Sequence, residues 1–292
     1  MKKFGDRRDA RKLSKKEMTG MAYINCDLKK KRAYREVYMN VPIDVTEMIK
    51  YVKKQNKKEG VHITYFHMFC MAIGKTIYNN PKLNIYSLGG NFYMRNDVVL
   101  SFVAKTDFSD EAKEVMQMLK VKEDDNIFTL SEKISGGVKK ARSDTKPSTS
   151  GGDNLVDNVG HLPTIIRRPV VGIFKLLDRF DLLPKSLTEE VLYYSSVIMS
   201  NIGTLNSPRG IYHDLTDFGT NSIMATMGKI YKQEVINDDG TKEIKDFCDF
   251  GITMDEGIGD GYYFIKSVNF MSYLLKNPKL LEGPANEKIE VK

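Results

Sequence analysis

Apolar residues at Val45, Met48, Ile49 and Val52 recur at helical spacing, with Lys50, Lys53, Lys54, Lys57 and Lys58 pointing the other way. This predicts a surface helix that opens on an Asp44–Glu47 capping box and stops near Gly60. From Thr64 to Asn79 the chain is apolar almost all round, the pattern of a helix buried between layers. Leu88-Gly89-Gly90-Asn91 predicts a hairpin turn, and Val98 to Lys105 and Val115 to Lys122 read as strands. Thr129 and Glu132 predict a capped helix to about Arg142. Further strands are expected at Tyr193–Asn201, Ser222–Tyr231 and Ile244–Met254, the last two joined by the Asn237-Asp238-Asp239-Gly240 turn. A closing helix runs from Gly261 to Leu275. This mixture of elements predicts an α/β sandwich.

The stretch from about 143 to 190 has a different texture. Lys146 to Gly152 is a loop by composition. From Leu162 to Leu183, Ile165, Ile166, Ile173, Phe174, Leu176, Leu177 and Phe180 alternate with Arg167, Arg168, Lys175 and Arg179. Pro169 is placed in the first turn of a helix there. Two readings stand: a surface helix packed on the domain, or a helix lying on an anionic membrane or acyl chain through residues 162–183.

Charge is unevenly spread. Residues 1–35 hold 13 Lys or Arg against 4 Asp or Glu, and the whole chain is +7, so the remainder is close to neutral. The reading is a basic N-terminal arm over 1–35 and one large domain over 36–292. Nucleic acid is not the expected partner, because aromatic residues do not interleave with the charge and no recognition motif is present. Cys26, Cys70 and Cys248 are few and far apart, which fits a reducing compartment. The charged start predicts no secretory signal, and no run predicts a membrane span, so a cytoplasmic location is expected. Gly74-Lys75-Thr76 mimics the end of a phosphate-binding loop but falls mid-helix, and no metal-ligand spacing appears.

The segment Met254-Asp255-Glu256-Gly257-Ile258-Gly259-Asp260-Gly261 carries the most specific signal. It resembles the motif of the chloramphenicol acetyltransferase and dihydrolipoamide acyltransferase superfamily, where His, three residues, Asp and Gly follow in order. Glu256 stands here in place of the His. The resemblance continues in Val41 to Thr46, Ile63 to Asn84, Phe92 to Val98, Met199 to Gly203 and Ala225 to Tyr231. It implies a two-layer sandwich of mixed sheet and helices, a homotrimer with sites between subunits, and acyl-coenzyme A as co-substrate with no permanently bound cofactor.

The same resemblance implies the site roles. Glu256 takes the position of the base, although a free Glu has a pKa about two units below that of His and needs burial to serve. Ser200 matches the hydroxyl that donates to the oxyanion, Thr226 a threonine holding an ordered water, and Gly203 lies on the cofactor side. Asp260 matches an Asp that pairs with an N-terminal Arg, for which Arg7, Arg8 and Arg11 are open choices. His213, in the loop after the Ser200 strand, is a substitute base if Glu256 is not one. The implied function is acyl transfer from acyl-coenzyme A to a hydroxyl, thiol or amine. The alternative is a catalytically silent relative that binds such a ligand or acts as a scaffold.

Overall fold

A computed structural model describes residues 5–105, 114–143 and 158–290. In chain order the elements are β1 (Ala10–Lys12), α1 (Gly20–Leu28), β2 (Glu36–Asp44), α2 (Thr46–Gln55), α3 (Tyr65–Asn79), β3 (Ile85–Leu88), β4 (Asn91–Arg95), β5 (Val98–Lys105) and β6 (Glu114–Val121). They continue with α4 (Ile127–Ser143), α5 (Thr164–Arg179), α6 (Lys185–Glu190), β7 (Val197–Asn201), β8 (Ile223–Ile236), β9 (Lys242–Asp255) and α7 (Gly261–Lys276). The loop expected at Lys146 to Gly152 lies outside the described residues.

Six strands form the main sheet in the order β2-β9-β8-β7-β5-β6, and β1-β4-β3 form a small antiparallel one. The central pairings β5–β7 and β7–β8 are parallel, while β2–β9, β8–β9 and β5–β6 are antiparallel. Alternation along the strands separates the two faces. Val197, Met199, Ile223, Ala225, Met227, Phe250, Ile252 and Met254 join α2, α3, α4 and α7 in the main core. Ile198 and Met224 face the other way and pack with Leu215. The result is the α/β two-layer sandwich that the sequence predicts.

α3 is buried almost throughout, as its lack of a polar face requires. Each large apolar side chain it buries contributes about 1.5–3 kcal/mol. Its Lys75 is fully buried and meets Glu287 at 2.7 Å and the Leu280 carbonyl at 2.7 Å, so the apparent phosphate-loop ending is a structural tie. Thr64 and His67 cap its start reciprocally.

Several local expectations change. α2 opens on Thr46, and Asp44 accepts from the Thr46 amide at 3.0 Å while Glu47 turns to Lys50, so no Asp44–Glu47 box forms. Asn126, rather than Thr129, caps α4 by accepting from the Phe128 and Thr129 amides. Pro169 lies inside α5, beyond its first turn; Pro163 precedes that helix instead. Residues 192–194 form a 3₁₀ turn, which shortens the strand expected from Tyr193.

From Gly5 onward the basic N-terminal stretch packs on the body. β1 pairs with β4, and α1 follows it. Arg7 is buried and meets Asp178 at 3.0 Å, Arg8 meets Asp181 at 3.1 Å, and Arg11 meets Glu17 at 2.8 Å. Asp178 and Asp181, distant in sequence, thus neutralise Arg7 and Arg8, which composition could not reveal. No helix among the described residues is long and apolar enough to cross a membrane.

Candidate active site

β9 ends at Asp255, and the chain turns through Glu256–Ile258 before α7. Asp255 is fully buried and faces Arg35, whose Nε lies 2.6 Å from Oδ1 and Nη2 3.0 Å from Oδ2. The Gly257 amide donates to the same Oδ1 at 2.8 Å, and Arg35 also donates to Ser87 Oγ. Burial opposes the Arg35 charge, but the hydrogen-bonded Asp255 outweighs it and lifts the guanidinium above its ordinary pKa. A side chain at position 257 would meet Asp255 Oδ1 at 3.0 Å and Cys26 Sγ at 3.3 Å, so glycine permits this close turn. Burial pushes the Cys26 thiol up, which keeps it protonated.

This brace presents Glu256 at the surface. Its amide donates to the Arg35 carbonyl at 2.8 Å, and Lys29 Nζ lies 2.8 Å from Oε2. Oε1 takes no hydrogen bond among the described residues. The side chains of Glu256 and Lys29 are 39% and 41% exposed, so one chain does not supply the desolvation a carboxylate base needs.

Ser200, Thr226 and Gly251 lie side by side across β7, β8 and β9, on the face away from the helices. The Ser200 hydroxyl has no hydrogen-bond partner among the described residues. Thr226 differs from its expected role: it is buried, and its hydroxyl donates to the Ile211 carbonyl. Gly203 packs against the Gly228 backbone. Gly210, Gly228 and Gly251 let the segment around Arg209–Ile211 lie directly on the sheet, since a side chain on Gly228 would come within 2.6 Å of the Arg209 carbonyl carbon.

The same segment then reaches β2, where the Leu215 amide donates to Glu36 Oε1 at 2.6 Å and Tyr212 packs on Tyr38. His213 lies between these contacts, exposed, with Nδ1 3.0 Å from the Asp214 carbonyl. Asp260 is exposed and caps α7, accepting from the Tyr263 amide at 2.8 Å. It does not pair with Arg7, Arg8 or Arg11, each of which is held by the acids described above. A buried arginine–aspartate pair does occur beside this turn, but it is Arg35–Asp255, one residue before Glu256, and not one made by Asp260. The acid before Glu256 was the available signal, but Arg35 was concealed in the basic N-terminal stretch.

The structure does not bring Ser200 and Glu256 together within one chain. From Gly251 to Glu256 the extended strand covers about 17 Å, and two strand spacings to Ser200 add about 10 Å sideways. Among the described residues no group of three or more His, Cys, Asp or Glu is placed to hold a metal ion.

The chain has the fold of the acetyltransferase cores. It is similar to a probable dihydrolipoamide acetyltransferase from Listeria monocytogenes, at 16% identity and TM-score 0.58, covering 89% of this chain and 93% of that one. The Azotobacter vinelandii dihydrolipoamide acetyltransferase matches at 13% identity and TM-score 0.59, over 90% of this chain and 88% of that one. A chloramphenicol acetyltransferase matches at 9% identity and TM-score 0.54, covering 92% and 98%. No protein-family model matches the chain, and no curated protein matches it by sequence.

Proposed function

We propose that the protein is a coenzyme-A-dependent acyltransferase acting as a homotrimer, with each site completed by Glu256 of one copy and Ser200 of the next. The observation that carries this reading is the carboxylate of Glu256, fixed on a rigid turn by the buried Arg35–Asp255 pair, with Oε1 unbonded among the described residues. A facing copy would bury it and place it near a Ser200 hydroxyl that no group among the described residues engages.

In the reaction, a hydroxyl, thiol or amine attacks the thioester carbonyl carbon as Glu256 takes its proton. The carbonyl oxygen becomes an oxyanion, to which the Ser200 hydroxyl donates; such a donor contributes about 3 kcal/mol. Collapse breaks the carbon–sulfur bond, and the departing thiolate regains the proton from Glu256. On this reading Gly203 and the Ile211 segment, which Thr226 holds by a hydrogen bond, border the path of the cofactor. Asp260 orders the start of α7 behind the base.

Mixing separately purified Glu256→Gln and Ser200→Ala chains, with dissociation and reassembly, tests the shared site. Random trimers should regain about a quarter of the wild-type thiol release, because some interfaces then join an intact Glu256 to an intact Ser200. Mixtures as inactive as either parent would overturn the intersubunit site. The second reading, a silent relative that binds coenzyme A or an acyl ligand, is favoured by the Lys29–Glu256 ion pair, which occupies the carboxylate. It predicts coenzyme A binding by calorimetry without thiol release for any acceptor.

A further inference from the structure

Helix α5 has a buried face, an exposed apolar face and a cationic border. At about 100° per residue, Phe174 and Leu177 point to one side, where they pack on Leu183, Leu187, Val191 and Tyr194. Asp178 on that side is buried against Arg7, whose guanidinium donates to its carboxylate and its carbonyl. Arg8 holds Asp181 and the Leu183 carbonyl just beyond. These ties fix which face of the helix looks outward.

The outward face is apolar. Ile165, Ile166, Ile173, Leu176 and Phe180 fall within about 100° of arc, and all are exposed, Ile165 by 83% and Phe180 by 63%. Arg168, Lys175 and Arg179 line one border within about 40° of arc, all exposed and none in an ion pair among the described residues. The single acid of the helix, Asp178, is turned inward.

We infer that α5 is a docking surface for an anionic lipid bilayer, its apolar stripe entering the headgroup boundary while Arg168, Lys175 and Arg179 meet lipid phosphates. This is independent of the acyl-transfer reading. A bilayer supplies apolar depth and negative charge together along one line, which this face requires. A second copy docked antiparallel on the same stripe by a two-fold would set the three cations of each helix near those of the other. The helix is too short in apolar length to insert across the membrane, so it lies in the surface plane.

The test is co-sedimentation of the full chain with vesicles of phosphatidylcholine alone and of phosphatidylcholine mixed with phosphatidylglycerol, at low and high salt. Wild type should pellet with the mixed vesicles at low salt and remain in solution with the neutral ones. Ile173→Gln/Leu176→Gln/Phe180→Gln changes only exposed positions and should weaken binding about tenfold or more, as should Arg168→Gln/Lys175→Gln. Wild type that ignores mixed vesicles at low salt overturns the inference. So does unchanged binding by the apolar variant, which would assign attachment to the basic N-terminal residues. A smaller mass by light scattering for the apolar variant, without vesicles, would instead make the stripe a contact between copies.

Discussion

Arg35 grips both carboxylate oxygens of Asp255 at 2.6 and 3.0 Å, with side-chain exposures of 5% and 0%, and so anchors the turn that displays Glu256. A water-excluded pair of this kind contributes little net stability when intact but is costly to break, because the surviving charge is left buried.

Asp255→Asn should therefore destabilise the protein by about 3–5 kcal/mol, read as a lower urea midpoint. The Gly257 amide keeps an acceptor, but Arg35 loses its counter-charge. A midpoint equal to wild type would show that the turn does not depend on the pair.

His67 gives a pH-dependent stability. Burial lowers its pKa from 6.5 to about 4, with the nearby His62 adding to the effect. The unfolded chain therefore binds a proton between those values while the folded one does not, and stability falls as pH drops from 6.5 toward 4. The loss reaches on the order of 3 kcal/mol. His67→Gln keeps a residue suited to the capping box and should flatten this part of the pH–stability curve. An unchanged slope would assign the proton to another group.

Gly251→Ala should displace the segment that covers Thr226. Its methyl would come to 2.5 Å from the Ile211 carbonyl oxygen, backbone that cannot swing aside as a side chain does. We expect a loss of about 1–3 kcal/mol, whereas Thr226→Val should cost about 1 kcal/mol through its hydrogen bond to Ile211. Equal stability of Gly251→Ala and wild type would contradict the close backbone contact.

Glu256→Gln should lower turnover about 10²-fold to 10⁴-fold while leaving coenzyme A affinity near wild type. His213→Ala should keep most of the rate. The reverse pattern, with His213→Ala inactive and Glu256→Gln at full rate, would transfer the base to the exposed histidine over the sheet.

Light scattering at micromolar concentration should return the mass of three chains. A monomer would remove the source of desolvation that Glu256 requires and with it the shared site.

The sequence by itself determined the sandwich: the all-apolar α3, the strand run ending in Asn201, the strand through Tyr231 (which the structure extends to Ile236) and the Asp260-Gly261 start of the closing helix were legible because their periodicity is local. The ordered blocks from Val41 to Gly261 also carry the resemblance on which the proposed roles of Ser200 and Glu256 rest. Capping details were less legible, since Asn126 and Thr129 are both competent caps and packing chooses between them.

Only the tertiary structure decided the electrostatics of the site. Arg35 and Asp255 are 220 residues apart, and Arg7 and Asp178 are 171 apart, so neither charge neutralisation has a signature in local pattern. The same holds for the row of Ser200, Thr226 and Gly251, which strand pairing alone makes neighbours. Side-chain period tells which residues share a face; it does not tell which strands lie next to each other, and burial of a charge depends on that choice.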